Sequence, residues 1–270
     1  MPRKVLFHAS VVVLVILACA TMSLRADDGV VLINQSKVIA AGGFPYHITS
    51  PGSYRLAGNL TAAGTDGIDV AATPVSIDLN GFSISGSTGS GNGVNGVTGS
   101  GTLAVANGTI RNFNGGININ TTNGPITVHD VTIVNTPASG FASFAPARLT
   151  NLSVSGTNQA IICDSACLVQ GSSLSGSEVG VLSEGPIVAA DNVVLTGENG
   201  FAIEGGTAAL LDNSVASNSS GTVTGITALV PVGMPTVVAA SRNVFNLPGG
   251  TCLSGPVTSL GDNVCNGTKQ

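Results

Sequence analysis

Gly140-Phe141-Ala142-Ser143-Phe144, Ala160-Ile161-Ile162-Cys163-Asp164, Gly180-Val181-Leu182-Ser183-Glu184, Gly200-Phe201-Ala202-Ile203-Glu204 and Gly225-Ile226-Thr227-Ala228-Leu229 are five versions of one segment. The first three steps between them are 20 residues and the last is 25. A fixed period of this size is the sequence signature of a solenoid, in which each repeat buries its apolar face only by stacking on its neighbours. Upstream, the same opening of Gly and an apolar residue recurs at Gly67-Ile68, Gly93-Val94 and Gly116-Ile117. A second column follows inside each repeat: Asn80, Asn107, Asp130, Asn151, Gly171, Asn192, Asn213 and Asn243. Between the columns lie short β-branched runs such as Val75-Ser76-Ile77, Ile126-Thr127-Val128 and Ile187-Val188, which indicate strands rather than helices. Asn and Gly tolerate the left-handed conformation that a sharp turn requires, and stacked Asn side chains can hydrogen-bond from coil to coil. Phe141, Ile161, Val181, Phe201 and Ile226 form one expected internal stack, and Ser143, Cys163, Ser183, Ile203 and Ala228 another.

These columns, with Ile77-Asp78-Leu79-Asn80-Gly81-Phe82-Ser83-Ile84-Ser85-Gly86 as the first full coil, resemble the right-handed parallel β-helix, the pectate-lyase-like architecture of exported bacterial repeat proteins. The resemblance implies an all-β fold, a single-stranded right-handed parallel β-helix of about eight coils with N- and C-terminal caps. Its expected divisions are a secretory signal peptide over 1–26, an N-terminal cap and first strands over 27–66, the β-helix over 67–246, and a C-terminal cap over 247–270. Pro51-Gly52, between two short apolar segments, suggests a hairpin-like form for the first cap. Such an architecture hosts lyases, glycoside hydrolases, esterases, epimerases and purely adhesive proteins, so activity has to be argued from a site.

Residues 1–26 carry Arg3 and Lys4, then an almost wholly apolar run from Val5 to Ala20, then small residues. That order is a signal peptide's, and the run is too short to read as a membrane span. Cleavage is expected after Ala26 or Ala20; the alternative is Ile16-Leu17-Ala18-Cys19 as a lipobox, with Cys19 as a lipid anchor. Removal of 1–26 takes three of the nine Lys and Arg and leaves all 14 Asp and Glu, a net charge of −8 against −5 for the whole chain. A chain this acidic lacks the basic patch that nucleic acid or an anionic membrane calls for. Four cysteines remain, Cys163, Cys167, Cys252 and Cys265. An even count in an exported chain favours disulfides. Of the three pairings, Cys163–Cys167 and Cys252–Cys265 join near neighbours, and no supporting histidines favour zinc.

The fifth position of the repeat reads Phe144, Asp164, Glu184, Glu204, Leu229. In a 20-residue register three carboxylates stack on one edge, each ~4.8 Å from the next. Stacked like charges need wide solvation, a cation or a raised pKa. Calcium suits an all-oxygen set, so Asp164, Glu184 and Glu204 are candidate metal ligands. They are also candidate catalytic residues: neighbours ~5 Å apart suit a retaining glycosidase and those two coils apart, at ~9.5 Å, an inverting one. The bland alternative is that they keep an exposed edge soluble. Asp191 and Asp212 form a lesser acidic column, with His129 and Arg242 at the same offset, and read as turn residues capping their own backbone. His129 and Asp130, adjacent on a strand, should face opposite ways.

The resemblance to lyases implies an acidic cluster with a cation beside it, and Arg148 lies one coil before Asp164. A polygalacturonase-like site would need Asp-Asp and Gly-His-Gly, and neither occurs in the coils. Gly91-Asn92-Gly93-Val94-Asn95-Gly96 satisfies G-x-G-x-x-G but opens a strand, which excludes a dinucleotide loop. The expected function is an exported surface or extracellular protein that binds polysaccharide or is structural. The alternative is a polysaccharide lyase or glycoside hydrolase using the acidic column. No Trp and two Tyr favour the former, because sugar grooves of enzymes draw on aromatic and cationic side chains.

Overall fold

The computed structural model describes residues 29–97, 101–121, 124–217, 219, 221–230 and 236–269. The segment read as a signal peptide, with Cys19, lies outside them. All coils belong to the unit Val31–Gln270. The chain winds through three parallel sheets, contributing one strand to each per turn, with the right hand that parallel crossovers take. Sheet 1 begins at Tyr46–Ile48 and ends at Thr251–Ser254; sheet 2 runs from Gly52–Leu56, with the extra strand Val30–Ile33 paired below it, to Val257–Ser259; sheet 3 runs from Leu60–Thr61 to Val264–Cys265. Counting the levels at which all three sheets have a strand, the solenoid has ten coils rather than eight. The difference lies at the ends, where strands are too short and irregular to show a period. Tyr46 pairs in register with Ile68, and Gly52 with Val75, so the segment around Pro51-Gly52 is the first coil and not a hairpin.

In sheet 1 the register joins Ile117, Phe141, Ile161, Val181, Phe201, Ile226 and Leu253. All but Leu253 are 0% exposed, as the first expected stack requires. The Gly that precedes five of them, all but Ile161 and Leu253, is there for space, not for turning. A Cβ at Gly180 would strike Val194 of sheet 3 and the carbonyl of Gly200 above it, and one at Gly140 would strike Val154 and the carbonyl of Ala160. A column of left-handed positions lies elsewhere, between sheets 2 and 3: Asn80, Asn107, Asp130, Asn151, Gly171, Asp191, Asp212, Arg242 and Asp262, with Asn112 and Asn135 left-handed between sheets 3 and 1.

The expected second column therefore merges two neighbouring ones. Asn192, Asn213 and Asn243, with Asn263, sit one residue later and point inward, each at most 1% exposed. They form a ladder. Asn192 donates from N and Nδ2 to Asn213 Oδ1 at 3.1 and 2.9 Å, Asn213 does the same to Asn243, and Asn243 to Asn263. Each Nδ2 also donates to a sheet-2 carbonyl, Val169 O for Asn192 and Ala189 O for Asn213. Ser172 carries the ladder one coil down, accepting from Leu152 N and donating from its own N to Asn192 Oδ1. A buried corner with unpaired backbone groups would cost ~1–3 kcal/mol per group, and the ladder removes that cost at every level.

A short helix, Gln35–Ala40, is the only one among the described residues, and Asn34 Oδ1 caps it by accepting from Lys37 N. Val38 buries fully, and Gln35 exchanges two hydrogen bonds with the backbone of Thr61, as a strand would. The first edge of sheet 3 is thus covered, which blunts it against pairing with another chain. At the other end, Asn266 and Gly267, both at positive φ, turn the chain so that Thr268–Lys269 pairs antiparallel with Val264–Cys265. Cys252 is bonded to Cys265 across the last coil, and Cys163 to Cys167 across the corner from sheet 1 to sheet 2. Ser143 and Ser183, above and below Cys163 in register, close the same corner by hydrogen bonds to Ala145 and Gly185. No helix among the described residues is long and apolar enough to cross a membrane.

Candidate functional site

The fifth position stacks as its spacing implies. Asp164 N donates to Ser143 O at 3.0 Å, Glu184 N to Cys163 O at 2.9 Å and Glu204 N to Ser183 O at 2.8 Å, so the three acids climb one corner on coils six, seven and eight. Phe144 stands below them and Leu229 above, 51% and 47% exposed, so the charged row has a defined length. Burial raises the Asp164 carboxyl above the usual carboxylate range, and the neighbouring charge of Glu184 raises it further. Among the described residues none of the three has an ion-pair partner. Nor do any three His, Cys, Asp or Glu side chains among those residues converge as a metal-holding group. The acids form a row along the axis, where calcium would need oxygens gathered around one point.

Beside this corner runs a trough on the outer face of sheet 2. Its upper part, about 640 Å³, spans Pro125 to Ala209, and its lower part, about 330 Å³, spans Gly52 to Thr127. The two share Pro125 and Thr127, so they meet at coil four and together cover coils one to eight. One residue per coil forms its floor, and the register gives Ser53, Ser76, Ala104, Thr127, Arg148, Leu168, Val188 and Ala209. The residue before each strand forms a lip, and prolines recur there: Pro74, Pro125, Pro146 and Pro186. The proline is possible at that point because the residue precedes the ladder and has no inter-strand N–H to give. Asp164 and Glu184 lie two residues before lip residues Ala166 and Pro186. Arg148 lines the trough one coil below Asp164 and, among the described residues, pairs with no acid.

The lesser candidates resolve differently from their expectation. Asp191 and Asp212 are left-handed, with side chains reaching the neighbouring coil rather than their own backbone. Asp212 takes two hydrogen bonds from Arg242, at 2.7 and 2.6 Å, and Asp191 accepts from Gln170 at 3.5 Å. His129 does not share their offset; it precedes the left-handed residue. It also meets Asp130, Nδ1 to Oδ2 at 2.8 Å, because the positive φ of Asp130 breaks the alternation that would have parted them.

A further polar cluster on sheet 1 escaped the sequence reading. Asp66 accepts from Asn92 N and from Asn95 Nδ2, Asp69 accepts from Asn95 at 3.4 Å, and His47 lies 3.5 Å from Asp69. Burial raises the Asp69 carboxyl, the charge and hydrogen bond of Asp66 add to that, and Asn95 and His47 oppose it. The signal was present, since Asp66 and Asn92 precede the coil-opening Gly67 and Gly93, but the column was read only from the Gly onward.

The chain matches no protein-family model and no curated protein. Among solved structures it is similar to the A-module of a mannuronan C-5 epimerase from Azotobacter vinelandii, with a TM-score of 0.45 and 12% identity over 79% of this chain and 76% of that one.

Proposed function

We propose that this is an exported β-helix protein that binds a linear polysaccharide along the trough of sheet 2. The observation that carries the reading is the repetition of that surface: one floor position per coil, in register over eight coils. A linear polymer is the ligand whose own repeat meets such a surface many times. The floor changes from Ser53, Ser76 and Thr127 to Leu168, Val188 and Ala209, which offers hydroxyl contacts at one end and apolar packing for ring C–H faces at the other. Two disulfides and the apolar leader support export. The test is calorimetric titration with neutral, anionic and amino-bearing glycans. Wild type should bind at least one class, and Ala209→Phe, which fills the trough from an outward position, should weaken that binding. No binding to any class, or binding indifferent to Ala209→Phe, would sink the reading.

A second reading draws on one observation, the raised Asp164 carboxyl one coil from Glu184. Two carboxyls ~4.8 Å apart, one of them raised, match the spacing of a retaining glycosidase pair. Reducing-sugar and unsaturated-uronide assays over a polysaccharide panel test it. Activity that Glu184→Gln and Glu204→Gln both retain would remove the row from catalysis.

A further inference from the structure

The two ends of the solenoid differ from its interior, and in matching ways. Apart from Phe82, the apolar side chains that pack on the core yet stay partly exposed lie there: Val31 and Phe44 at the first end, Leu253, Val257 and Cys265 at the last. Their equivalents one coil inward are closed off, Ile226 below Leu253 and Val238 below Val257 both being 0% exposed. The core therefore runs out to both ends of the stack, where interior-type side chains meet solvent.

Among the described residues the ends also have a stepped outline. At the last end Thr251–Ser254 of sheet 1 and Val257–Ser259 of sheet 2 pair on one side only, while sheet 3 rises one level higher through Thr268–Lys269. At the first end sheets 2 and 3 each reach one level below coil one, through Val30–Ile33 and the helix Gln35–Ala40, while sheet 1 stops at Tyr46–Ile48. One end thus carries a single raised sheet and the other a single recessed one. We propose that copies of this chain stack head to tail, the first end of one seated on the last end of the next. The upper copy is turned by one sheet, so that Thr268–Lys269 of the lower enters the recess under Tyr46–Ile48. Val30–Ile33 then lies on Thr251–Ser254, four residues against four, and the helix lies over Val257–Ser259.

The fit selects a second copy over other occupants. A lone extended peptide covers one edge and leaves the other edge and the step unfilled. Two last ends face to face meet at their raised sheets and hold the remaining edges apart. Head to tail, free strand edges gain partners and the partly covered core is continued. Exposed Ile39 of the helix and Leu260, directly after Val257–Ser259, are brought to the same side of the contact, where each is otherwise 64% and 63% exposed. Such a contact is heterologous and leaves a free end on each copy, so it propagates into rows rather than closing as a dimer. Each copy carries a net charge of −5, which opposes stacking, so association should strengthen as salt is raised. Stacking is independent of what fills the trough and takes from the export reading only that the leader is removed.

The experiment is sedimentation velocity of the exported chain over a wide range of concentration, alongside two end-blocked variants. Val31→Glu with Ile39→Glu blocks the first end, and Leu253→Glu with Leu260→Glu blocks the last. Wild type should pass from monomer to a ladder of oligomers as concentration rises, and further at higher salt. Each variant alone should stay monomeric. Their equimolar mixture should form dimers and nothing larger, because one intact first end meets one intact last end, and this also shows that both variants are folded. Ile39→Glu and Leu260→Glu singly, at exposed sites that leave the core untouched, should each weaken association about tenfold. A wild type that stays monomeric throughout overturns the proposal, and one that stops at dimers overturns it in favour of a closed contact. Variants that associate as wild type does, or a mixture of variants with wild-type melting midpoints that yields no dimer, overturn it as well.

Discussion

At the scale of single residues, the structure depends most on side chains that satisfy or avoid something at a corner. Asn213 serves four groups at once: Asn192 N and Nδ2 donate to it, and it donates to Ala189 O and Asn243 Oδ1. Asn213→Ala should cost on the order of 3 kcal/mol, because buried partners on two coils lose their bonds and no water reaches a site 1% exposed. A urea midpoint equal to wild type would show that the ladder does not hold the corner. Gly180→Ala should cost ~1–3 kcal/mol for a different reason, the collision of its methyl with Val194 and the Gly200 carbonyl. Sequence reading found both columns and expected the Asn side chains to bond from coil to coil, but gave left-handed turning as the reason for Gly and Asn alike. Left-handed turning explains Asn151 and Asp191; steric exclusion explains Gly180; an inward ladder explains Asn192. A one-residue slip between Asn151 and Asn192 separated those causes, and it is invisible without the register of the strands.

At the scale of elements, the 20-residue spacing was enough to place Asp164, Glu184 and Glu204 on one corner, since equal coil lengths keep register. It could not place Asp66 and Asp69 with Asn95, because the early coils differ in length and the contact crosses between them. Asp69 and Asp164 both have raised carboxyls, so the charged form of each is disfavoured in the folded state. For an acid whose folded pKa lies above its unfolded value, stability rises as pH falls through the folded pKa toward the ordinary carboxylate value near pH 4. Asp130, Asp212 and Asp262 are held low by His129, Arg242 and Lys269, so their contribution is present above that value and lost only below it. Melting midpoints should therefore climb modestly on acidification from pH 7 to about pH 5. Asp164→Asn should be more stable than wild type at pH 7 and show a smaller climb. An identical climb in the variant would mean that the corner does not carry the effect. The terminal coil offers a separate check. Cys252 and Cys265 are 13 residues apart, and opening their bond should release ~3 kcal/mol of restraint on a coil stacked on one side only. Cys252→Ala with Cys265→Ala should speed amide exchange at 251–265 while leaving the interior coils protected.

At the scale of the whole molecule, a solenoid repeats its surface as faithfully as its core, and the trough is that repetition seen from outside. The repeat disclosed about eight of the ten stacked levels, but not the trough, whose floor residues alternate with core residues in runs too short to look special. Its lip is visible in the sequence only afterwards, as prolines at 74, 125, 146 and 186. The geometry makes a quantitative demand on any linear ligand. From Gly52 on coil one to Ala209 on coil eight there are seven coil steps, ~34 Å at ~4.8 Å per step. Each sugar added to an oligomer shorter than this gains contacts without paying again for lost overall translation and rotation, so affinity should rise with length. Beyond that span an added unit meets solvent, and affinity should level off. Calorimetry over an oligomer series of two to twelve sugars of one bound glycan should show the dissociation constant falling until about seven or eight units and flat thereafter. A plateau reached at two or three units would confine recognition to one short subsite, and the trough would then be a feature of the fold rather than of its function.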